Sequence, residues 1–248
     1  MRAYGPLAAW YDALTRDVPY EAFADYYERL FAEKGRRSIR TIVDLACGTG
    51  TLTLLLARRG YETIAVDGSA EMLAQLAEKT ASLDDTVVPP LLLCQELAEL
   101  DLYGTVDCAV CSLDGMNYIP EDELPEIFRR LRLFLEPDGL LIFDVNSPER
   151  LRSLDGELFC DETEELLCLW RADFDQEENC LCYEMDIFSE TEEGLWQRES
   201  EEHIEYAHHP ERLLQLLRQV GFVMAEVLTD GPQNEEGRLF IIAQNTPH

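Results

Sequence analysis

Two short segments of this chain combine acids and small residues at an interval that suits a nucleotide-like ligand. The first, VDLACGTG (43–50), places Asp44 at the end of an apolar run, ahead of a turn that contains two glycines. Such a turn lets backbone N–H groups approach a ligand, and the following helix adds its N-terminus. The second, VDGSAEML (66–73), places Asp67 17 residues after Gly50, near the roughly 20 residues expected of a ribose-binding carboxylate. Together the segments predict a cofactor cleft.

The details of the turn discriminate between cofactor classes. A dinucleotide fingerprint requires G-x-G-x-x-G, and Thr53 stands where its third glycine belongs. A P-loop requires G-K-[ST] after the turn, and no such sequence follows. An acid at the end of the strand suits an ammonium group better than a phosphate. S-adenosylmethionine carries an ammonium and a sulfonium but no phosphate, so the residues favour it.

A third segment, CQEL (94–97), completes a pattern that resembles the class I S-adenosylmethionine-dependent methyltransferases. Their first motif is usually D or E-x-G-x-G-x-G, and Ala46 replaces its first glycine. The resemblance implies that Asp67 binds the ribose, that Met72 packs on the adenine and that Glu96 accepts from the adenine amino group. The cofactor-binding residues that it implies are Tyr11, Tyr20, Asp44, Ala46, Cys47, Gly48, Gly50, Asp67, Gly68, Ser69, Met72, Gln95, Glu96, Leu97, Ser112 and Asn117. The product would be S-adenosylhomocysteine.

The resemblance extends to both ends of the chain. The segment AAWYDALTRDVPYEAFADYY (8–27) is similar to the amino-terminal part of small bacterial methyltransferases, in which a tyrosine of a Y-D pair contacts the methionyl end of the cofactor. This implies the same contact for Tyr11, and extends it to Tyr20. The closing segments GFVMAEVLTD (221–230) and RLFIIAQ (238–244) look like the reversed strand pair that ends the family's sheet.

Candidate catalytic residues follow the fourth strand and lie in a later insertion. Methyl transfer is an in-line displacement that depends mainly on alignment, so a dedicated base is not obligatory. Asp114 and Tyr118, in SLDGMNYIP (112–120), should stand at the mouth of the crevice, although a DG pair also forms turns. His203, in ESEEHIEY (199–206), could act as a general base near neutral pH. A salt-bridged strand histidine is the structural alternative.

Continuous apolar runs of strand length alternate with helical patterns between residues 40 and 145, which is typical of strands buried on both faces. The helical patterns begin and end at residues that favour such ends, for example Ser69 and Gly60. The strand runs cover 40–45, 62–67, 90–95, 106–113 and 139–145. The third helical pattern, EDELPEIFRRLRLFLEPDG (121–139), continues to Pro137 and Gly139. These features predict an α/β fold with a doubly wound, Rossmann-like, mostly parallel sheet whose last strand is reversed.

The chain is expected to form one methyltransferase domain, 1–248, in four parts. Residues 157–206 alternate apolar and polar positions and predict an antiparallel meander of three strands. This insertion resembles the lid of several small-molecule methyltransferases, including some that act on amino sugars. The four predicted parts are a helical cap (1–37), a cofactor-binding core (38–150), the antiparallel lid insertion (151–206) and a C-terminal helix with a strand pair (207–248).

Composition limits the class of partner. A net charge of -30 repels nucleic acid and anionic lipid, so a small-molecule methyl acceptor is expected, with the oligomeric state open. Neither a signal peptide nor a membrane span is evident, which predicts a cytoplasmic protein with reduced thiols. Cys108 and Cys111 should project to opposite faces of one strand, so no metal site is predicted.

The leading interpretation is an enzyme that transfers a methyl group to an N or O atom of a small molecule. Methylation of a protein or RNA is the alternative within enzymes, and the charge of -30 argues against RNA. A noncatalytic module that binds the cofactor is an alternative from another class. A dehydrogenase is a further possibility, which titration with NADH would separate.

Overall fold

The computed structural model describes residues 4–163, 165–191, 193–232 and 236–246. Eleven strands are present in these ranges, and most of the early ones lie where continuous apolar runs predict them. The strands are β1 (Thr41–Leu45), β2 (Glu62–Asp67), β3 (Leu91–Cys94), β4 (Val106–Cys111), β5 (Leu135–Asn146), β6 (Leu158–Glu162), β7 (Leu166–Asp175), β8 (Cys180–Glu190), β9 (Trp196–Tyr206), β10 (Met224–Leu228) and β11 (Arg238–Gln244).

Seven of these strands form the main sheet, in the order β10-β11-β5-β4-β1-β2-β3. β1 to β5 are parallel, whereas β11 runs antiparallel to both β5 and β10. The direction of the winding changes between β1 and β4, and a ligand crevice opens at the carboxyl ends of strands at such a point. The predicted fold class, including the reversed last strand, is confirmed.

Helices pack on both faces of the sheet. Ser69 caps α4 as predicted, because its hydroxyl accepts from Met72 N at 3.1 Å. The expected extension of the third helical pattern to Pro137 and Gly139 is wrong, because Leu135 pairs with Val106 and begins β5. The helices are α1 (Tyr11–Leu14), α2 (Tyr20–Lys34), α3 (Thr51–Arg58), α4 (Ala70–Thr80), α5 (Leu124–Phe134), α6 (Pro148–Ser153) and α7 (Pro210–Gln219).

The core consists of apolar clusters on the two faces of the main sheet. All six residues of β4 are buried, as its continuous apolar sequence predicts. Cys108 packs in the cluster beneath α2, and Cys111 packs in the cluster beneath α5 and α7, so the two thiols do lie on opposite faces. Burial raises the pKa of both thiols, which suits their packing as small apolar groups.

The insertion forms a separate antiparallel sheet in the order β6-β7-β8-β9. The sequence predicts three of these strands and misses β6, so the count of three is wrong. The five residues of β6 are exposed, and a strand exposed on both faces lacks the alternation by which strands are recognised. In the described ranges, no helix has the length and apolar content that crossing a membrane requires.

Candidate functional site

A cleft of about 250 Å³ opens at the carboxyl ends of β1, β2 and β4. It brings together most of the residues that the sequence predicts for the cofactor. The predicted residues that line it are Tyr11, Tyr20, Asp44, Ala46, Cys47, Gly48, Asp67, Gly68, Ser69, Met72, Glu96 and Ser112. Residues that the sequence did not assign to it also contribute, namely Tyr4, Thr49, Thr51, Leu52, Leu113 and Gly115.

The turn between β1 and α3 has an unusual backbone. Ala46, Gly48 and Gly50 have φ angles of 50°, 55° and 71°. A Cβ atom added to Gly48 would meet only Tyr11, at 3.8 Å, so this backbone faces the cleft. A Cβ atom added to Gly50 would lie 2.4 Å from Leu76, so Gly50 lets α3 approach α4. The two glycines therefore have different roles, one toward the cleft and one toward packing.

Asp67 joins the first two sequence segments at the cleft. Its Oδ2 atom accepts from Gly48 N at 2.8 Å, and its Oδ1 atom accepts from Ser69 N at 2.8 Å. These bonds connect the carboxylate to both turns. An oxygen of a carboxylate can accept more than one hydrogen bond, so the group keeps capacity for the hydroxyls of a ligand.

Asp44 lies at the base of the cleft and is 2% exposed. Burial raises the pKa of its carboxyl to about 7, against the opposing effect of the hydrogen bond that Thr53 Oγ1 donates at 2.5 Å. The acid is therefore easily ionised by a cationic ligand, because a nearby positive charge lowers a carboxyl pKa.

The lining of the cleft fits an amino-acid-tailed adenosine better than a diphosphate. Three carboxylates line it, those of Asp44, Asp67 and Glu96, and no lysine or arginine is among its described lining residues. Carboxylates accept from ammonium, hydroxyl and amino groups, all of which S-adenosylmethionine carries. A diphosphate would be repelled by them, since phosphate groups need cations or N–H donors. The charge of the lining therefore favours S-adenosylmethionine over a dinucleotide.

The amino-terminal segment closes the cleft on the side of α3 and α4. Asp12 accepts from Thr49 Oγ1 at 2.5 Å and pairs with Lys79 Nζ at 2.7 Å. These bonds bring Tyr11 and Tyr20 into the lining. The sequence analysis did not predict Asp12 as a site residue, although Asp12 follows Tyr11 in the Y-D pair.

On the opposite side, Tyr118 also lines the cleft and stands next to the lid. Its hydroxyl lies 3.4 Å from His203 Nδ1, and His203 Nε2 lies 3.1 Å from Glu201 Oε2. Burial raises the Glu201 pKa, but hydrogen bonds from His203, Leu7 N and Tyr4 N outweigh it and hold the pKa below its usual value. Two predicted catalytic residues, Tyr118 and His203, are thus brought together by a buried acid.

Asp114, the third predicted catalytic residue, is not among the residues that line the cleft, and it pairs with Arg238 at 2.9 Å. Arg238 also bonds Asp144, which is fully buried at the end of β5. Asp144 accepts from Leu113 N at 2.9 Å and from Asp114 N at 3.0 Å. It holds these two residues at φ angles of 55° and 58° beside the cleft. An acid at the end of a buried strand is the signal that would have found Asp144.

Four predicted cofactor residues lie outside the lining of the cleft, namely Gly50, which packs against Leu76, and Gln95, Leu97 and Asn117. Gln95 and Leu97 border a second cavity that shares Gly68 and Glu96 with the cleft. Asn117 is fully buried, and its amide nitrogen donates to Asn146 O at 3.2 Å and to Tyr206 O at 2.9 Å. Its side chain therefore connects the ends of β5 and β9, and in this arrangement it does not reach the cofactor cleft.

Comparisons with known proteins agree with this geometry. The methyltransferase domain family matches residues 42–139. One relative is YqeM of Bacillus subtilis (strain 168), which is named as an inferred methyltransferase. It is 30% identical to this chain over 250 residues, and the alignment covers 98% of this chain and 97% of YqeM. A solved S-adenosylmethionine-dependent methyltransferase from Clostridium acetobutylicum is 29% identical, with a TM-score of 0.82 over 99% of this chain and 100% of that one.

A more distant structure is the sugar N-methyltransferase KedS8 from a Streptoalloteichus species. It has a TM-score of 0.79 at 22% identity, over 96% of this chain and 93% of that chain, and the likeness concerns the fold. The B. subtilis and C. acetobutylicum proteins, by contrast, match almost from end to end at higher identity. The chain therefore belongs to the class I S-adenosylmethionine-dependent methyltransferases, and S-adenosylmethionine is its cofactor.

Proposed function

We propose that this enzyme transfers a methyl group to an N or O atom of a small molecule. The observation that carries the proposal is the enclosure of the cleft beyond the cofactor-binding turns. Tyr4 and Tyr118 line that end with their ring centroids 5.6 Å apart, and both side chains adjoin His203 of the lid strand β9. A small acceptor fits such a space as a whole, whereas a protein or an RNA could enter it only with a single side chain or base. The name of KedS8 as a sugar N-methyltransferase supports the same class of acceptor.

The cofactor-side roles follow from the donors and acceptors in the cleft. Asp67 binds the ribose hydroxyls, because its carboxylate is held at the junction of both turns. Met72 is 1% exposed and offers an apolar surface to the adenine, with Glu96 as acceptor for its amino group. Asp44 binds the ammonium group, whose charge favours the ionised carboxylate.

Alignment and exclusion of water are the main tasks of the acceptor side. When bound, S-adenosylmethionine supplies a methyl group that its sulfonium makes electrophilic. Tyr118 positions the acceptor atom, since its ring borders the cleft. His203 holds the Tyr118 hydroxyl through Nδ1 and is oriented by Glu201, so it acts through Tyr118 as a positioning group or proton acceptor. Asp114 anchors the loop that carries both cleft-lining neighbours, Leu113 and Gly115.

Calorimetry with S-adenosylhomocysteine tests the cofactor assignment. The Asp67→Ala variant should bind at least tenfold more weakly than wild type, because the ribose hydroxyls lose a charged acceptor, worth about 1.5–3 kcal/mol. Asp85→Ala, at an exposed position, is the matched control and should bind as wild type does. Equal affinity in Asp67→Ala would contradict the ribose assignment.

The acceptor is then sought by measuring S-adenosylhomocysteine formation with pooled amines and hydroxylated metabolites. Turnover of a small molecule supports the proposal. Turnover only with a protein or RNA fraction would overturn it and would favour the macromolecular alternative.

A further inference from the structure

A buried polar group lies under the lid, next to the cofactor cleft, and the cofactor assignment does not use it. Its centre is Glu205, near the end of β9, which is 4% exposed. Among the described residues, a single hydrogen bond reaches this carboxylate, from Asn146 Nδ2 to Oε2 at 2.9 Å. A buried carboxylate is costly unless donors or a counter-charge surround it, so Glu205 has acceptor capacity to spare.

Asn146 supplies a second and independent sign of a missing ligand. The residue is 5% exposed, and its Oδ1 atom has no hydrogen-bond donor in the described part of the chain. Because Oδ1 and Nδ2 are bonded to the same carbon, this orphaned oxygen stands beside the Glu205 carboxylate. Buried polar atoms are nearly always paired in folded proteins. A group that only donates would satisfy both acceptors when Glu205 is ionised.

The charges around Glu205 indicate that the donor is a cation. Burial raises the pKa of Glu205 to about 8, and repulsion from Asp114 adds to the effect. The charges of Arg238 and Arg150 oppose this rise in part, and Arg238 already bonds Asp114 and Asp144. In the described ranges no lysine or arginine is hydrogen-bonded to Glu205. A cationic ligand would relieve this excess of negative charge, and an anion would increase it.

Aromatic side chains surround the Glu205 carboxylate. Tyr4 and Tyr118 line the cofactor cleft, and Tyr183 of β8 packs in one apolar cluster with Tyr4. Burial raises the pKa of all three hydroxyls, and the charges of Glu205 and Asp114 raise each of them further. The rings therefore stand close to both acids. Aromatic faces attract organic cations, especially where water is excluded.

We propose that the methyl acceptor is an amine and that Glu205, together with Asn146 Oδ1, binds an ammonium group of that acceptor. The ammonium gives one proton to the Glu205 carboxylate, and the neutral nitrogen then takes the methyl group as S-adenosylhomocysteine leaves. Asp114, which pairs with Arg238, adds to the negative charge of this ammonium site, and the tyrosine rings form its walls. The inference rests on the proposed function, because it names the acceptor class for the same cleft. A hydroxyl group could donate to one acceptor, but only a cation favours the ionised form of Glu205.

Binding of an ammonium group requires ionised Glu205, so it is linked to a proton. Since the pKa of free Glu205 is about 8, the carboxyl is mostly protonated at pH 7, and the ligand must displace that proton. Affinity should therefore rise from pH 6 to pH 8 while the amine stays protonated. The titratable and charged groups that face Glu205 from neighbouring elements are Tyr4, Asp114, Tyr118, Arg150, Tyr183 and Arg238.

The test uses the full chain saturated with S-adenosylhomocysteine and matched pairs of probes. The pairs are ethanolamine and ethylene glycol, benzylamine and benzyl alcohol, cyclohexylamine and cyclohexanol, and glucosamine and glucose. Calorimetry should find at least one amine that binds tenfold or more tightly than its alcohol. In two buffers of different ionisation enthalpy at pH 7, binding of that amine should release a proton.

The Glu205→Gln variant keeps an oxygen for Asn146 Nδ2 and removes the charge. It should reduce the amine affinity at least tenfold and abolish proton release, whereas Glu202→Gln, exposed on the same strand, should change neither. Absence of any amine preference in the wild type would overturn the inference, as would an unchanged preference in Glu205→Gln. The wild-type comparison decides even if that variant does not fold. Failure of S-adenosylhomocysteine to bind would instead refute the proposed function.

Discussion

The two ends of the cleft are built in different ways. At the cofactor end, backbone turns at 46–50 and 67–69 provide the shape, and one carboxylate, Asp67, bonds both of them. At the acceptor end, side chains from separate elements pair by charge, as Asp114, Asp144 and Arg238 do. Changes of backbone geometry should therefore damage the first region, and changes of charge should damage the second.

The largest effect is expected from Arg238→Leu at the acceptor end. This change leaves the fully buried Asp144 and its neighbour Asp114 without their shared cation, which should cost about 3–5 kcal/mol of unfolding free energy. Without Arg238 the folded-state pKa of Asp144, already raised by burial, rises further. The folded protein then holds protons that the unfolded chain releases, so the loss should be smaller at pH 5 than at pH 8.

Urea unfolding at the two pH values measures this loss. Arg129→Leu, which breaks an exposed pair with Glu126, is the control and should cost less than about 1 kcal/mol. S-adenosylhomocysteine should still bind Arg238→Leu more tightly than it binds Asp67→Ala. If cofactor affinity fell as far as in Asp67→Ala, the two ends would not be separable in this way.

The same contrast explains what the sequence could predict. The cofactor end depends on contiguous segments in which a buried strand, an acid and a turn follow one another, so reading 43–50 and 66–73 suffices to locate it. The acceptor end depends on which strands become neighbours. Asp144 and Arg238 are 94 residues apart in the chain, and only the antiparallel pairing of β11 with β5 brings them together.

Individual residues illustrate the same limit. Asp144 ends a buried strand as Asp44 and Asp67 do, so the rule that selected those acids could have selected it as well. Asn117 stands in the predicted loop, but its amide donates to two backbone carbonyl groups that are distant in the sequence. Glu205 is one of several glutamates in β9. Nothing in the sequence distinguishes it from Glu202, which is exposed on the same strand.

A smaller effect is expected from Gly50→Ala at the cofactor end. The left-handed backbone of Gly50 disfavours alanine by about 1–2 kcal/mol. The added methyl would also overlap Leu76, for a further cost of about 1–3 kcal/mol. Chemical unfolding should therefore show a loss of about 2–5 kcal/mol, with weaker binding of S-adenosylhomocysteine because the turn moves.

Gly60→Ala is the matched control for this change. Gly60 also has a positive φ, of 94°, but no atom lies within 4 Å of its added methyl. Only the backbone cost of about 1–2 kcal/mol remains there, and cofactor affinity should be unchanged. Equal losses in the two variants would mean that the approach of α3 to α4 at Gly50 does not matter.

The smallest global effect is expected from Glu201→Ala, at the contact between the amino-terminal segment and the lid. The buried Glu201 carboxylate accepts from Tyr4 N at 2.8 Å and from Leu7 N at 2.7 Å. Hydrogen bonds to a charged group contribute about 1.5–3 kcal/mol each. A terminal segment can detach without unfolding the sheet, so overall stability should fall by no more than the docking free energy of this segment, about 1.5–3 kcal/mol.

Hydrogen exchange of the Leu7 amide provides the sensitive measurement. Its protection should fall at least tenfold in Glu201→Ala, since the charged acceptor is gone, while the amides of β1 keep theirs. Glu202→Ala, exposed on the same strand, should leave Leu7 protected. Because Tyr4 belongs to the same segment and borders the acceptor end, its release should also weaken amine binding more than S-adenosylhomocysteine binding. An equal loss for both ligands would show that the amino-terminal segment serves the whole cleft and not the acceptor end alone.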